Sequence, residues 1–392
     1  MVHGHAGSPP RNMALSLRRA RLTSRDSRLS VVANQVSVLL LAATNGANDN
    51  FKGVATLYGS RTVGYWTSLG WASITTLAGS LGSVYLAQGL LKAFTGAGLV
   101  PADIAAQTSF ALAVAGGAAI TVALASWRGM PISTTHALVG AMSGAGLVAA
   151  GMDAHFGSLG RSFLLPLLAS PLIAVIPAFL SAPLLRRLVV RAERKRIDCL
   201  CIAQGTITTP DGLMMRETAV LRTGSTTECG GSDTRTLMRF DATRQIDTLH
   251  FLLAGAVGFA RGLNDTPKIA ALLLPIAMLD SHAAVLAVAI AMLLGGLLGA
   301  RRVARTMSEK ITDLDLGASL AASLTTSLLV STASFNGLPV STTHVAVGAL
   351  AGAGASGRSG VNRRVITDIA LSWVVTLPVG ALFGAILYAW VR

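Results

Sequence analysis

Two short motifs, each present twice, hold the residues of this chain that could do chemistry. The first is N-D-x-x-K, at Asn48, Asp49 and Lys52 and again at Asn264, Asp265 and Lys268. Asn and Asp offer hard oxygens suited to a small cation, and a lysine ammonium can meet an anion. Three residues apart on a helix, Asp and Lys share a face and can pair. Asp49 and Lys52 are the only charges in the apolar run 31–60, and Arg261 joins Asp265 and Lys268 in a comparable run. A charge at the centre of a bilayer costs about 3 kcal/mol or more, so such residues tend to be functional and paired internally. A self-neutralised pair that merely joins two helices explains one copy. It does not explain why the other half repeats Asn, Asp and Lys together.

The second motif is P-x-S-T-T-H. It covers Ser133, Thr134, Thr135 and His136, and again Ser341, Thr342, Thr343 and His344. Proline cannot continue a preceding helix, and Ser133 or Ser341 can cap the helix that follows. Gly140/Gly144 and Gly348/Gly352 then supply G-x-x-x-G spacing for close helix packing. The runs 130–151 and 338–355 are too short to cross a bilayer comfortably, so each predicts one arm of a re-entrant hairpin. The tip of such a hairpin presents free amides, hydroxyls and the positive end of a helix dipole, a combination that binds phosphate-like anions. His136 and His344 could relay protons, although a histidine hydrogen-bonded to the hairpin backbone is the plainer role.

These motifs need elements that hold them in a membrane. Of the 392 residues, 52% are hydrophobic and 13% charged, about half the charge of a soluble domain. That composition excludes disorder and predicts a polytopic membrane protein. Apolar runs at 31–60, 64–91, 103–126, 162–185, 246–279, 281–300, 316–335 and 365–390 are the expected spans. The net charge of +14 sits largely in residues 1–30 and in the stretch 186–245, flanking the spans without interleaved aromatics. It marks membrane-flanking charge and argues against nucleic acid. The domain reading is therefore a basic disordered tail (1–30), a transmembrane repeat (31–185), a polar linker on the cytoplasmic side (186–245) and a second repeat (246–392). The tail lacks a cleavage site and is not read as a signal peptide.

The order of the motifs is the same in both halves. Gly129–Gly146 aligns without gaps to Gly337–Gly354, with 12 of 18 positions identical. Internal duplication of this kind is typical of secondary transporters, whose substrate site forms where the repeats meet. Summed, Asp49 and Asp265 against Lys52, Arg261 and Lys268 leave about one positive charge, before two helix N-termini add roughly half a charge each. A divalent oxyanion would be nearly neutralised there.

At these residues the chain resembles the inorganic phosphate transporter family. Its paired G-x-N-D and P-x-S-T-T-H-x-x-x-G motifs are similar to that family's, across roughly 31–185 and 246–390. The resemblance implies an all-α polytopic fold of two inverted repeats, each with a broken helix and a re-entrant hairpin. It also implies symport of inorganic phosphate with Na⁺ or H⁺ in the plasma or inner membrane. By position, Asn48, Asp49, Asn264 and Asp265 would line the substrate and ion site, with Na⁺ at these four. Ser133, Thr134, Thr135, Ser341, Thr342 and Thr343 would donate to phosphate. Many members carry Asn where this chain has Lys52, and His where it has Arg261. The lysines favour H⁺ over Na⁺, since an ammonium beside a carboxylate competes for the same oxygens. Sulfate, isosteric with phosphate, is the alternative substrate.

No cofactor is expected, and the chain leaves room for a homodimer in the lipid bilayer. An intramembrane hydrolase using Ser133 or Ser341 is disfavoured, because hydrolysis needs one asymmetric constellation rather than two matching copies. In the linker, RIDCLCIAQGTITT alternates enough for a short strand or two. Cys199, Cys201 and Cys229 are read as free thiols rather than as a disulfide or metal set.

Overall fold

The computed structural model describes residues 11–392 apart from 97, 196–198, 204–205, 209–210, 212–213, 217–219, 225–233, 240–241, 276–279, 314 and 358–359. In the first half, α1 (Arg11–Asp49) leads through a 3₁₀ turn (Asn50–Val54) to α2 (Ala55–Gly59). Then follow α3 (Tyr65–Leu86), α4 (Gln88–Ala93), α5 (Ala102–Ala105), α6 (Thr108–Trp127), α7 (Thr134–Ala150), α8 (Phe156–Leu159) and α9 (Leu165–Lys195). The second half has α10 (Ala242–Ala270), α11 (Ser281–Gly299), α12 (Arg301–Arg305), α13 (Leu316–Phe335), α14 (Thr342–Ala355) and α15 (Arg363–Val391). Among the described residues seven helices are long and apolar enough to cross a membrane. α3, at 22 residues, is as long but rich in buried Ser and Thr. α7 and α14, with 17 and 14 residues, are too short to cross, as the sequence predicts.

The halves interlock. α1 packs on α11, with Ala43 beside Gly295 and Ala47 beside Gly299, so the two run in the same direction. α3 packs on α10 likewise: the Trp71 ring stacks on Phe251 at 4.6 Å, and Thr266 donates to Ser80 at 2.6 Å. The predicted glycine faces meet the last helix of the opposite half. A Cβ at Gly144 would stand 1.9 Å from the Ala381 carbonyl oxygen of α15. One at Gly352 would stand 2.3 Å from the Val175 carbonyl oxygen of α9. Only glycine permits these approaches. Because α3 returns from the end of α1 and α10 runs with α3, the two halves traverse the layer in opposite senses.

α6 and α7 form one hairpin and α13 and α14 the other. Ser133 and Ser341 cap α7 and α14, each accepting from the amide three residues on, His136 N and His344 N, at 3.2 Å. The helix break expected in each half is present after Asp49, where a 3₁₀ turn takes over. In the second half α10 stays helical through Pro267 to Ala270, and a 3₁₀ turn comes only at Ala271–Leu273. That expected break is corrected to the end of the helix.

Two further differences concern the periphery. α1 already begins at Arg11, so residues 11–30, read from the sequence as a disordered tail, continue a helix, while 1–10 lie outside the described residues. The linker holds the short strands that its alternating stretch suggests, together with three more. β1 (Cys199–Ala203), β2 (Thr206–Thr208), β3 (Met214–Arg216), β4 (Val220–Gly224) and β5 (Thr234–Arg239) form an antiparallel sheet of order β4-β1-β5 and a β2-β3 pair. The all-α description holds for the membrane body only. Cys199 and Cys201 lie on β1, Cys201 is a buried free thiol, and Cys229 lies outside the described residues.

Candidate functional site

The hairpin tips meet head to head at the centre, and each N-D-x-x-K motif reaches across to the opposite tip. Lys52 Nζ donates to Asn48 Oδ1 (2.8 Å), to the Ile132 carbonyl (2.9 Å) and to Thr343 Oγ1 (2.6 Å), and it pairs with Asp49 Oδ1. Lys268 Nζ donates to the Val340 carbonyl (2.8 Å) and to Thr135 Oγ1 (2.9 Å), with Asp265 Oδ1 at 3.4 Å. Ile132 and Val340 occupy the same motif position. Each lysine therefore binds a hydroxyl of the other half's hairpin. Thr343 in turn donates to the Ile132 carbonyl at 2.8 Å, closing the contact between tips.

The asparagines fasten each N-D segment to its own hairpin. Asn48 Nδ2 donates to Ser126 Oγ and to the Met130 carbonyl, both at 3.0 Å. Asn264 Nδ2 donates to the Val340 carbonyl at 3.2 Å and its Oδ1 accepts from Ser334 at 3.2 Å. The second hydroxyl of each tip faces a different group in each half. Thr134 accepts from Asn45 Nδ2 at 2.8 Å, whereas Thr342 donates to Asp265 Oδ2 at 3.4 Å. Arg261 Nη2 donates to Asn45 Oδ1 at 2.8 Å, and its Nε lies 3.9 Å from Asp265 Oδ2. Thus all three cations and both aspartates are buried, in two hydrogen-bonded clusters that the Arg261–Asp265 ion pair joins.

His136 and His344 also come together. Their rings meet edge to face at 4.6 Å between centroids, and Trp373 of α15 lies against His344 at 3.8 Å. The described partner of His344 Nδ1 is the Leu167 carbonyl of α9, 2.8 Å away. The bond is to a neighbouring helix, not to the hairpin backbone that the sequence suggests.

Every residue picked from the sequence lies at or beside this centre: the two aspartates, two asparagines, two lysines, Arg261, and the Ser, Thr and His of both tips. Sequence reasoning missed Asn45, Ser126, Ser334 and Trp373. A signal existed for the first three. Asn45 aligns with Arg261 when the N-D segments are superposed, and Ser126 aligns with Ser334 three residues before the hairpin match begins. Nothing local marks Trp373.

What the arrangement offers chemically is a set of oxygens fit for cations, at present taken by ammonium groups, beside hydroxyls and helix N-termini fit for an oxyanion. Among the described residues no group of three or more His, Cys, Asp or Glu is placed to hold a metal ion.

Comparison with known proteins points the same way. The sequence profile of the phosphate transporter family matches residues 45–384. A protein of Pyrococcus abyssi named as a phosphate permease is 27% identical over 315 residues, 69% of this chain and 76% of that protein. A protein of Streptomyces halstedii named as a low-affinity inorganic phosphate transporter is 31% identical over 169 residues, 43% of this chain and 77% of that protein. Among solved structures, one described as the sodium-dependent phosphate transporter superposes with a TM-score of 0.70. It covers 92% of this chain and 98% of that one at 22% identity, a likeness of fold.

Proposed function

The chain belongs to the phosphate transporter family, and on that premise we propose that it is a secondary active symporter of inorganic phosphate in the plasma or inner membrane, coupled to protons. The observation that supports this reading best is the reciprocal crossing of Lys52 to Thr343 and Lys268 to Thr135. It joins both duplicated motifs into one centre where an oxyanion can take the place of the cross-links. Phosphate entering between the tips would receive Thr134, Thr135, Thr342 and Thr343 hydroxyls, with Ser133 and Ser341 at the helix starts. The excess positive charge of Lys52, Lys268 and Arg261 over Asp49 and Asp265 suits a divalent anion.

The lysines support the coupling ion. Lys52 occupies four oxygens, from Asn48, Asp49, Ile132 and Thr343, that would otherwise hold a small cation. A Na⁺ at Asn48 and Asp49, or at Asn264 and Asp265, would sit beside a fixed ammonium in a weakly screened interior. A buried lysine can instead give up a proton during the cycle. The structural neighbour is named for sodium dependence, so the two cations predict different outcomes in one assay.

Purified protein in liposomes should take up labelled phosphate in Na⁺-free choline buffer under an inward proton gradient. An absolute Na⁺ requirement would overturn the coupling, and preferential uptake of sulfate would overturn the substrate. Lys52→Asn combined with Lys268→Asn should move uptake towards Na⁺ dependence. The linker face should be cytoplasmic, given the basic run that opens the linker at Arg186. An impermeant thiol reagent added outside intact cells should fail to label a cysteine placed at Arg222.

A further inference from the structure

The centre is closed, but a cavity of about 520 Å³ opens beside it on the linker face. Its walls are Thr44 and Ala47 of α1, Ser126 and Trp127 at the end of α6, and Arg301, Arg302 and Arg305 of α12. All three arginines are exposed. Arg302 is held by the Trp127 carbonyl, and Arg305 has Glu309 at 3.9 Å with both side chains about half exposed or more. Among the described lining residues there is no acid. Ser126 forms part of the cavity wall, and behind it Asn48 Nδ2 bonds Ser126 Oγ at 3.0 Å while Asn48 Oδ1 accepts from Lys52 at 2.8 Å. One asparagine therefore separates the arginine-lined space from the lysine cage.

The matching place on the opposite face is built differently. There Gly337, the counterpart of Gly129, packs on Gly89 of α4, where Gly129 packs on Arg302 of α12. The cavity on that face, about 310 Å³, has Gln88, Lys92 and His282 in its lining in place of three arginines. Arginines that only flank a span would need neither a cavity nor a polar link to the centre. Guanidinium groups match phosphate oxygens with paired, charge-assisted hydrogen bonds.

We propose that the α12 cavity is a second oxyanion site, reached from the linker face alone, in which Arg301 and Arg305 hold a phosphate group one asparagine away from the central site. The shared chemistry is a phosphate oxyanion, with free phosphate or a phospholipid headgroup as its source. The adjoining Trp127 and Leu298, 65% and 88% exposed, bring lipid within reach. As a station for substrate, the cavity rests on the phosphate-transport reading above.

The test is the double variant Arg301→Gln/Arg305→Gln in membrane vesicles sorted by the sidedness of the linker. Arg302 is left intact because it holds the Trp127 carbonyl. With free phosphate as ligand, the KM for phosphate applied at the linker face rises about ten-fold, the loss expected when charge-assisted bonds are removed. The KM from the other face stays at the wild-type value, which also shows that the variant folds. Arg301→Lys/Arg305→Lys recovers only part of the loss, since the charge is kept but the paired bonds are not. If the shift needs anionic phospholipid in the vesicle and vanishes in phosphatidylcholine, the site stands with a headgroup as its ligand. An unchanged KM at the linker face in both lipids overturns the site, as does an equal rise on both faces. Failure of the transport reading looks different: wild-type vesicles would then show no phosphate flux.

Discussion

The two N-D-x-x-K segments share a motif but not an electrostatic environment. In the first, Asp49 pairs with Lys52 and takes a neutral bond at 3.2 Å from Asn45, whose oxygen in turn accepts from Arg261. In the second, Asp265 faces two cations, Lys268 at 3.4 Å and Arg261 at 3.9 Å. Arg261 stands where the first half has Asn45, and it reaches both sides: it donates to Asn45 Oδ1 at 2.8 Å and lies 3.9 Å from Asp265, so the surplus positive charge is shared between the half-sites. The backbone differs as well: α1 breaks into a 3₁₀ turn after Asp49, which carries Lys52, while α10 stays helical through Lys268. The same motif chemistry thus occurs twice, in surroundings that differ at Asn45 and Arg261.

The strongest way to break this comparison is to neutralise the aspartates one at a time. Asp265→Asn takes the carboxylate from Lys268 and from the 3.9 Å contact with Arg261 and should cost about 3–5 kcal/mol, the range for a buried pair that loses one partner. Asp49→Asn takes it from Lys52, and from Arg261 across Asn45, and should cost a similar amount. Thermal unfolding in detergent reads both, and a much smaller loss for Asp49→Asn would show that Arg261 is held by Asp265 alone.

Helix packing gives the next effect. Gly144→Ala and Gly352→Ala each drive a methyl into a backbone carbonyl, at 1.9 and 2.3 Å, and should cost about 1–3 kcal/mol through forced separation. The closer approach at Gly144 makes its loss the larger. A melt that ranks them the other way would place the tighter seam between α9 and α14.

Removing one hydroxyl from each tip sharpens the site itself. Thr134→Val leaves Asn45 without its 2.8 Å acceptor, and Thr342→Val removes a longer 3.4 Å bond to Asp265. Both should weaken phosphate binding by about 1–3 kcal/mol. Only Thr134→Val should also lower thermal stability measurably. Wild-type uptake affinity in both variants would move the phosphate site elsewhere.

The smallest contrast lies at the bases of the hairpins. Asp315 caps α13 through Ala318 N at 2.8 Å and pairs with Arg186 at 2.6 Å, while its counterpart Gln107 accepts from Tyr388 at 3.3 Å and from Ser109 at 3.5 Å without capping through its side chain. Asp315→Ala should cost about 1–2 kcal/mol, mostly the lost cap because the ion pair is half exposed. Gln107→Ala should cost a few tenths, and parity between the two would remove the cap from the account.

What the sequence by itself determined is local chemistry and its repetition. Pro131 and Pro339 forbid a continuing helix, Ser133 and Ser341 start a new one, and the glycines at four-residue spacing mark the faces that pack closely. The ammonium–carboxylate pairs at three-residue spacing were legible too, because one helical turn decides them. So were the membrane character and two short strands near Cys199. The tertiary structure alone decided which partners lie far away. Lys52 meets Thr343 from 291 residues off, and Lys268 meets Thr135 from 133. Both contacts exist because the halves run in opposite senses and exchange their packing partners. The same topology brings His136 onto His344 and Trp373, and it sets Asn45 against Arg261. No pattern within a turn or two of these residues encodes such pairings: capping and helical periodicity act over a few residues, whereas cross-half contacts follow from how whole helices are threaded and packed.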